Sequence, residues 1–241
     1  MNHSNFFNAA IIIIGNEILS GRTQDLNSNY LAKRLASEGI NLMEVRIIPD
    51  DEKIIIQTLN LLRANFSYVF TSGGIGPTHD DITAESVASA FKVPIEVNKQ
   101  ATKVLATNYP NGELDLTPAR LRMARIPRGA TLIENPISKA PGFRLENVFV
   151  LAGIPKIFQA MVDSVIGTIQ GGDPLLSISV RVRKIESEIA EDLSDIAKQF
   201  KNVSIGSYPF EKNGHLGTNL IAIHRDKKLL KKVKISLERL K

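Results

Sequence analysis

The stretch Gly73-Gly74-Ile75-Gly76-Pro77-Thr78-His79-Asp80-Asp81 brings together glycines, a hydroxyl, an imidazole and two adjacent acids. The apolar run Tyr68–Thr71 precedes it and the helix-patterned Thr83–Phe91 follows it. Glycines between a strand and a helix let the backbone turn tightly and approach a ligand closely. Backbone N–H groups there, with the N-terminus of the following helix, would face an anion. Gly73, Gly74, Gly76 and Thr78 are therefore candidate phosphate contacts. The dinucleotide fingerprint is excluded, because Pro77, Thr78 and His79 follow Gly76 where a third glycine is needed. No Gly-Lys-Ser/Thr follows, so the stretch is not a P-loop either.

Two adjacent acids beside a phosphate would repel it unless a cation intervenes. Asp80 and Asp81 are thus candidate ligands for a divalent metal, Mg²⁺ first with Mn²⁺ or Co²⁺ as alternatives, shared with substrate phosphate. Asp also caps helices well, and one of the pair is expected to cap the helix at Thr83. Glu85 lies one helical turn past Asp81. Pro49-Asp50-Asp51 and Gly15-Asn16-Glu17 place further acids at the ends of two other apolar runs. Asp81, with Asp50 or Glu17, would position the metal and an attacking water. In-line attack at phosphorus then needs mainly charge neutralisation and alignment. His79 either touches a phosphate or is a solvent-exposed loop residue. His3, His215 and His224 lack metal-ligand spacing. Gly214-His215-Leu216-Gly217 matches the GxxG of RNA-binding KH domains. It lies between two strand patterns rather than two helices, and reads as a hairpin turn.

These loops need a frame that gathers several strand ends. Ala9–Ile14 is a continuous β-branched run, as expected of a strand buried on both faces. A helix is expected over Asn27–Ser37, capped by Asn27 or Asp25 and ended by Gly39. A strand over Leu42–Ile48 and a helix over Asp51–Ala64, with Asp51 as a candidate cap, come next. Tyr68–Thr71 and Val148–Leu151 are further strands, and Thr83–Phe91 and Pro155–Ile169 further helices. Alternating strands and helices imply a mostly parallel sheet covered on both faces, with ligands at the carboxyl ends of the strands. The loops Gly15–Gly21, Pro49–Asp51, Ser72–Asp81 and Gly153–Pro155 all follow strand ends and should meet on one edge. Gln170–Pro174 reads as a linker. Beyond it the pattern becomes β-α-β-β-α, a small α+β domain. The expected division is residues 1–171 and 172–241.

The 241 residues are 43% hydrophobic and 23% charged, enough for a core without disulfide or structural metal. The absence of cysteine removes a disulfide framework, a cysteine nucleophile and thiolate metal sites. Ala9–Ile14 is far shorter than a membrane span and has no basic leader. A cytoplasmic protein without a membrane partner is expected. Net charge is +5, and Lys227, Lys228, Lys231, Lys232 and Lys234 account for a basic C-terminal helix. Charge runs are usually solvated helix faces, so a nucleic-acid partner is not expected.

Gly73 to Thr83 resembles the GGxGPTxDDxT signature of the CinA N-terminal family, which has the molybdopterin-binding-like MoaB/Mog fold. Gly15-Asn16-Glu17, Asp25-Leu26-Asn27, Pro49-Asp50-Asp51, Asn135-Pro136, Ala140-Pro141-Gly142-Phe143 and Gly153-Ile154-Pro155 agree in the same order. The later segment around Ile185-Glu186-Ser187 and Ser207-Tyr208-Pro209 resembles the KH-like middle domain of CinA proteins. The resemblance implies a three-layer α/β/α domain with a mostly parallel sheet, followed by a small KH-like α+β domain. It implies metal-dependent hydrolysis of ADP-ribose- or FAD-like diphosphates, or molybdopterin binding and adenylylation. The acid of the Mog loop matches Asp81, and that of its proline-acid loop matches Asp50. Asn27, Asn135 and Lys139 become candidate ligand contacts. Ser138-Lys139 stands where the family often has Gly-Thr. The partners implied are a phosphorylated small molecule and further copies of the chain, since Mog-fold relatives commonly form dimers or trimers.

Overall fold

A computed structural model describes residues 7–212 and 214–241. His3 therefore lies outside the described residues. The chain divides into two units, Met1–Gly172 and Asp173–Lys241.

In the first unit β1 (Phe7–Ile14) leads through the short α1 (Asn16–Leu19) to α2 (Asn27–Ser37), β2 (Ile40–Ile48), α3 (Glu52–Asn65) and β3 (Tyr68–Ser72). Then come α4 (Thr83–Phe91), β4 (Ile95–Val97), α5 (Lys99–Ala106), α6 (Pro118–Arg122) and β5 (Arg125–Pro127). The unit closes with β6 (Thr131–Ile133), β7 (Gly142–Leu145), β8 (Val148–Leu151) and α7 (Pro155–Ile166). The main sheet runs in the order β2-β1-β3-β8-β7-β6. Its first four strands are parallel, whereas β7 is antiparallel to β8 and β6 to β7. The small β4–β5 pair stands apart.

The unbroken Ile11–Ile14 run is explained by burial on both faces. Ala10, Ile12 and Ile14 pack with Ile55, Leu59 and Leu62 of α3 and Val87 of α4. Ala9, Ile11 and Ile13 pack with Leu31 and Leu35 of α2 and Phe158, Met161 and Val162 of α7. Phe70 stacks on Phe149 of the neighbouring strand at 4.9 Å between ring centres. Truncating a wholly buried residue such as Ile12 costs about 2–5 kcal/mol. These two cores fix which way each strand end points, and so where the loops meet.

Helix starts follow the side chains available. Asp51 caps α3, accepting from the Ile54 N–H at 3.0 Å. Asp25 accepts from the Asn27 and Ser28 N–H groups at the start of α2. At α4 the expected Asp cap is not made: Ile82 holds the cap position without a side-chain hydrogen bond. Helix α7 stops at Ile166 rather than Ile169, with Gly167 as its C-cap.

The second unit comprises β9 (Leu176–Val182), α8 (Glu186–Gln199), β10 (Ser204–Lys212), β11 (His215–His224) and α9 (Lys227–Glu238). Its sheet is antiparallel in the order β10-β11-β9. Val180, Val182, Leu220 and Ala222 pack on one face against Ile189 of α8 and Leu230, Val233 and Leu237 of α9. Of the GxxG segment, expected as a hairpin turn, only Gly214 lies in the β10–β11 connection; His215, Leu216 and Gly217 belong to β11. No helix among the described residues is long and apolar enough to cross a membrane.

Candidate functional site

Three backbone segments meet without side chains between them. A Cβ on Gly73 would lie 2.2 Å from the Ile14 carbonyl oxygen at the end of β1. A Cβ on Gly153 would lie 3.2 Å from the Gly73 Cα. The Gly73 N–H donates to the Leu151 carbonyl at the end of β8. Only glycine permits this approach of strands β1, β3 and β8 at their carboxyl ends. Gly73 and Gly74 also take positive φ, 108° and 68°.

Buried Thr83 ties the glycine loop to α4. Its hydroxyl donates to the Gly73 carbonyl at 2.9 Å and its N–H to the Gly74 carbonyl at 2.9 Å. Asp81 closes the rest of the loop on itself. Its Oδ2 accepts from the Thr78 N–H at 2.9 Å and the Thr78 hydroxyl at 2.5 Å. The carboxylate lies where a Gly76 side chain would be, 2.6 Å from the position of that absent Cβ. Asp81 thus faces inward to Thr78 instead of capping α4. Neighbouring Thr78, followed by the Asp80 backbone N–H, holds the Asp80 carboxyl below the usual carboxylate range. Asp80 is therefore ionised at neutral pH.

The other acid loops join here. The Asn16 N–H donates to Asp50 Oδ2 at 2.9 Å, linking the loops after β1 and β2. The Glu17 carboxylate folds back on Gly15, 2.6 Å from where a Cβ would stand. Glu85 does not join them. Arg125 binds it at 2.5 Å and Arg122 approaches it at 3.7 Å, while Arg122 also donates to the Asp81 carbonyl at 3.2 Å. This arginine pair was not legible as part of the site, because about forty residues of sequence separate it from the loop it braces.

A cavity of about 570 Å³ opens over this junction. Glu17, Asp50, Asp80 and Asp81 line it with Gly73, Gly74 and Gly76. Ala140 and Ile154, from the quoted motifs, form apolar walls with Thr23, Met123 and Ile157, which motif reading did not single out. Thr78 belongs to the adjoining loop but is not part of the lining, and exposed His79 is likewise outside it. Asn135 lines the cavity, yet its amide is occupied by its own loop: it donates to Ser138 Oγ and the Ala140 carbonyl, and accepts from the Ile137 and Ser138 N–H groups. Lys139 takes φ 58° in that loop and lies outside the lining, between Ser138 and Ala140, which are inside it. Asn27 sits at the foot of a side recess of about 40 Å³ shared with Glu17 and Thr23. It donates to Ser72 Oγ at 2.8 Å and the Gly153 carbonyl at 2.7 Å, leaving a buried Oδ1 without a partner.

The lining carries four carboxylates and no Lys, Arg or His. Among the described residues no group of three or more His, Cys, Asp and Glu is placed to hold a metal ion. The donor set present fits a hard cation bound by one or two carboxylates with ligand phosphate completing its shell, the habit of Mg²⁺. It does not fit a metal caged by protein alone.

An open cavity at the carboxyl ends of parallel strands, floored by a glycine loop, defines an α/β ligand-binding protein. The chain belongs to the molybdopterin-binding-domain family with the MoaB/Mog-like fold: the family described as "Probable molybdopterin binding domain" matches residues 10–171. The family described as "FAD synthase, middle domain" matches residues 174–240. A protein of Archaeoglobus fulgidus is 32% identical over 95% of this chain and 96% of its own length. A protein of Caenorhabditis elegans described as a probable FAD synthase is also 32% identical, over 96% of this chain but 49% of its own length. The crystal structure of CinA from Thermoplasma acidophilum, described as of unknown function, is 34% identical with a TM-score of 0.63, covering 68% of this chain and 99% of that one.

Proposed function

We propose that the first unit binds a phosphorylated cofactor or nucleotide diphosphate in the 570 Å³ cavity and hydrolyses its diphosphate with a divalent metal. The observation that carries this reading is the junction itself. A main-chain glycine floor lies beside four carboxylates, with no Lys, Arg or His in the lining. A diphosphate can enter such a cavity only with its charge already neutralised, as a metal complex. Asp80 and Asp81 hold that metal, and Asp50 or Glu17 orients water for in-line attack. Gly73, Gly74 and Gly76 cradle phosphate. Asn27 Oδ1 offers an acceptor to a donor-bearing part of the ligand. The family's molybdopterin-binding description and the FAD-synthase relatives are consistent with ligands that carry phosphate or diphosphate.

A second reading is a protein that holds such a ligand without turning it over. The engagement of Asp81 by Thr78 favours it, because a carboxylate already accepting two hydrogen bonds has less capacity for a metal. Molybdopterin adenylylation is the transfer chemistry to be compared with both.

A turnover panel decides among them. ADP-ribose, FAD, NAD, and ATP with molybdopterin are each offered with Mg²⁺, Mn²⁺ or Co²⁺, and products are resolved by chromatography. AMP release from ADP-ribose or FAD, abolished in a folded Asp81→Asn variant, is the expected result. Unchanged turnover in that variant removes Asp81 from the chemistry. AMP transfer to molybdopterin selects the adenylylation reading. Binding with no turnover under any metal selects the holding protein.

A further inference from the structure

Three peptide groups at the cavity are held by their carbonyls on buried side chains. The Thr83 hydroxyl and N–H donate to the carbonyls of Gly73 and Gly74, each at 2.9 Å. The Asn27 amide nitrogen donates to the Gly153 carbonyl at 2.7 Å. A carbonyl can only accept, so this contact fixes the Asn27 amide with Nδ2 towards Gly153. Both anchors are buried, Thr83 at 0% and Asn27 at 5% exposure.

In a trans peptide the N–H points opposite to the C=O. No peptide bond among the described residues is cis. The N–H groups of Gly74, Ile75 and Ile154 belong to the same three peptides, and so point away from the buried anchors. None of them has a hydrogen-bond partner among the described residues. All three residues line the 570 Å³ cavity.

These donors come from two loops. Gly74 and Ile75 belong to the glycine loop after β3. Ile154 follows β8 and holds the cap position of α7, a twelve-residue helix with no side-chain cap and with Pro155 next in line. The positive end of that helix favours an anion. The loops adjoin, since a Cβ on Gly153 would stand 3.2 Å from the Gly73 Cα. Asn27 gives an independent sign of a ligand. Its Oδ1 is buried without a partner in the 40 Å³ recess, whose lining shares Gly153 and Pro155 with the cavity. A recess of that size has room for a hydroxyl or a water.

We propose that the Ile154 N–H binds a second phosphate beside the one on the glycine loop, so that the cavity selects a diphosphate over a monophosphate. Asn27 is the positioning residue that turns this N–H towards the ligand. The inference rests on the ligand-binding function proposed above and narrows its substrate to esters with two adjacent phosphates. A monophosphate on the glycine loop leaves the Ile154 donor unpaired.

The backbone of Ile154 allows a direct test. Its φ of −63° is one that proline adopts. Ile154→Pro therefore removes the N–H without breaking a hydrogen bond of the fold, whereas Ile154→Ala keeps it. Isothermal titration of the full chain with ADP and with AMP, each with Mg²⁺, reads the difference. The unaltered protein should prefer ADP. Ile154→Pro should weaken ADP binding by roughly 10- to 150-fold, the effect of one hydrogen bond to a charged group, and leave AMP binding unchanged. Ile154→Ala should bind both nucleotides as the unaltered protein does. Asn27→Leu, which frees the Gly153 carbonyl, should lose the same preference while still binding AMP. The proposal is overturned if the unaltered protein binds ADP and AMP equally, an outcome that leaves the wider ligand-binding function standing. It is also overturned if Ile154→Pro keeps the full preference for ADP, or loses both nucleotides alike. Binding of neither nucleotide by the unaltered protein would overturn it together with that function.

Discussion

Gly74 and Gly214 both take left-handed backbone, with φ of 68° and 75°, but in different surroundings. A Cβ on Gly74 would stand 2.1 Å from the Thr83 hydroxyl oxygen, whereas one on Gly214 would meet nothing within 4 Å. Alanine at either position bears the left-handed penalty of about 1–2 kcal/mol. At Gly74 it must also push Thr83 off the loop, adding about 1–3 kcal/mol as overpacking does. Urea unfolding of the two variants should separate them by that margin, and ligand binding should be lost only in Gly74→Ala. Equal destabilisation would mean that Thr83 is not the clamp. The residue scale is also where sequence reading was least reliable. Glycines, Asp50, Asp80, Asp81 and Glu17 were readable as one site, because their loops all follow strand ends. The orientation of Asp81 was not readable. The same side chain can cap a helix or accept from Thr78, and local preference does not choose between them.

At the scale of elements, α9 provides a measurable case. Asp226 caps it, accepting from the Lys228 N–H at 2.7 Å and the Leu229 N–H at 3.2 Å. The Leu229 and then the Lys228 backbone hydrogen bonds hold the Asp226 carboxyl below its ordinary value. A folded-state value below the unfolded one, near ~3.9, means the stabilisation is present above that pH and lost as pH falls through the folded value. Thermal melting between about pH 5 and pH 2 should therefore show a steeper loss of stability in the unaltered protein than in Asp226→Asn, which keeps an acceptor and cannot titrate. Parallel slopes would remove Asp226 as the source. The long parallel strands were legible because burial on both faces demands unbroken apolar runs. Strands β6 and β7, of three and four residues, were not, since Gly142-Phe143-Arg144-Leu145 has no period long enough to distinguish it from loop. Strand β11 extends over ten residues, His215–His224, longer than its sequence pattern makes legible. Gly217 and Thr218 obscure its first half in sequence, and in the structure both are buried.

For the whole molecule, the edge of the main sheet is where association of copies can be tested. Edge strand β2 exposes Met43, Val45 and Ile47 by 65%, 45% and 41%. Apolar side chains on an open strand edge are a liability unless something covers them. A second copy is the occupant expected from the family resemblance. Sedimentation velocity should show an oligomer that Val45→Lys converts towards monomer, and a monomer at every concentration tested would sink the idea. A different consequence follows from the way Ile14, Gly73 and Gly153 come together. The floor of the cavity is main chain and admits no substituted side chain, whereas its walls are ordinary side chains such as Thr23, Met123, Ile154 and Ile157. Any change of ligand, in a laboratory or in descent, has to be written in the walls. On the function proposed above, the floor sets which chemical group can be held, and the walls decide what that group is attached to.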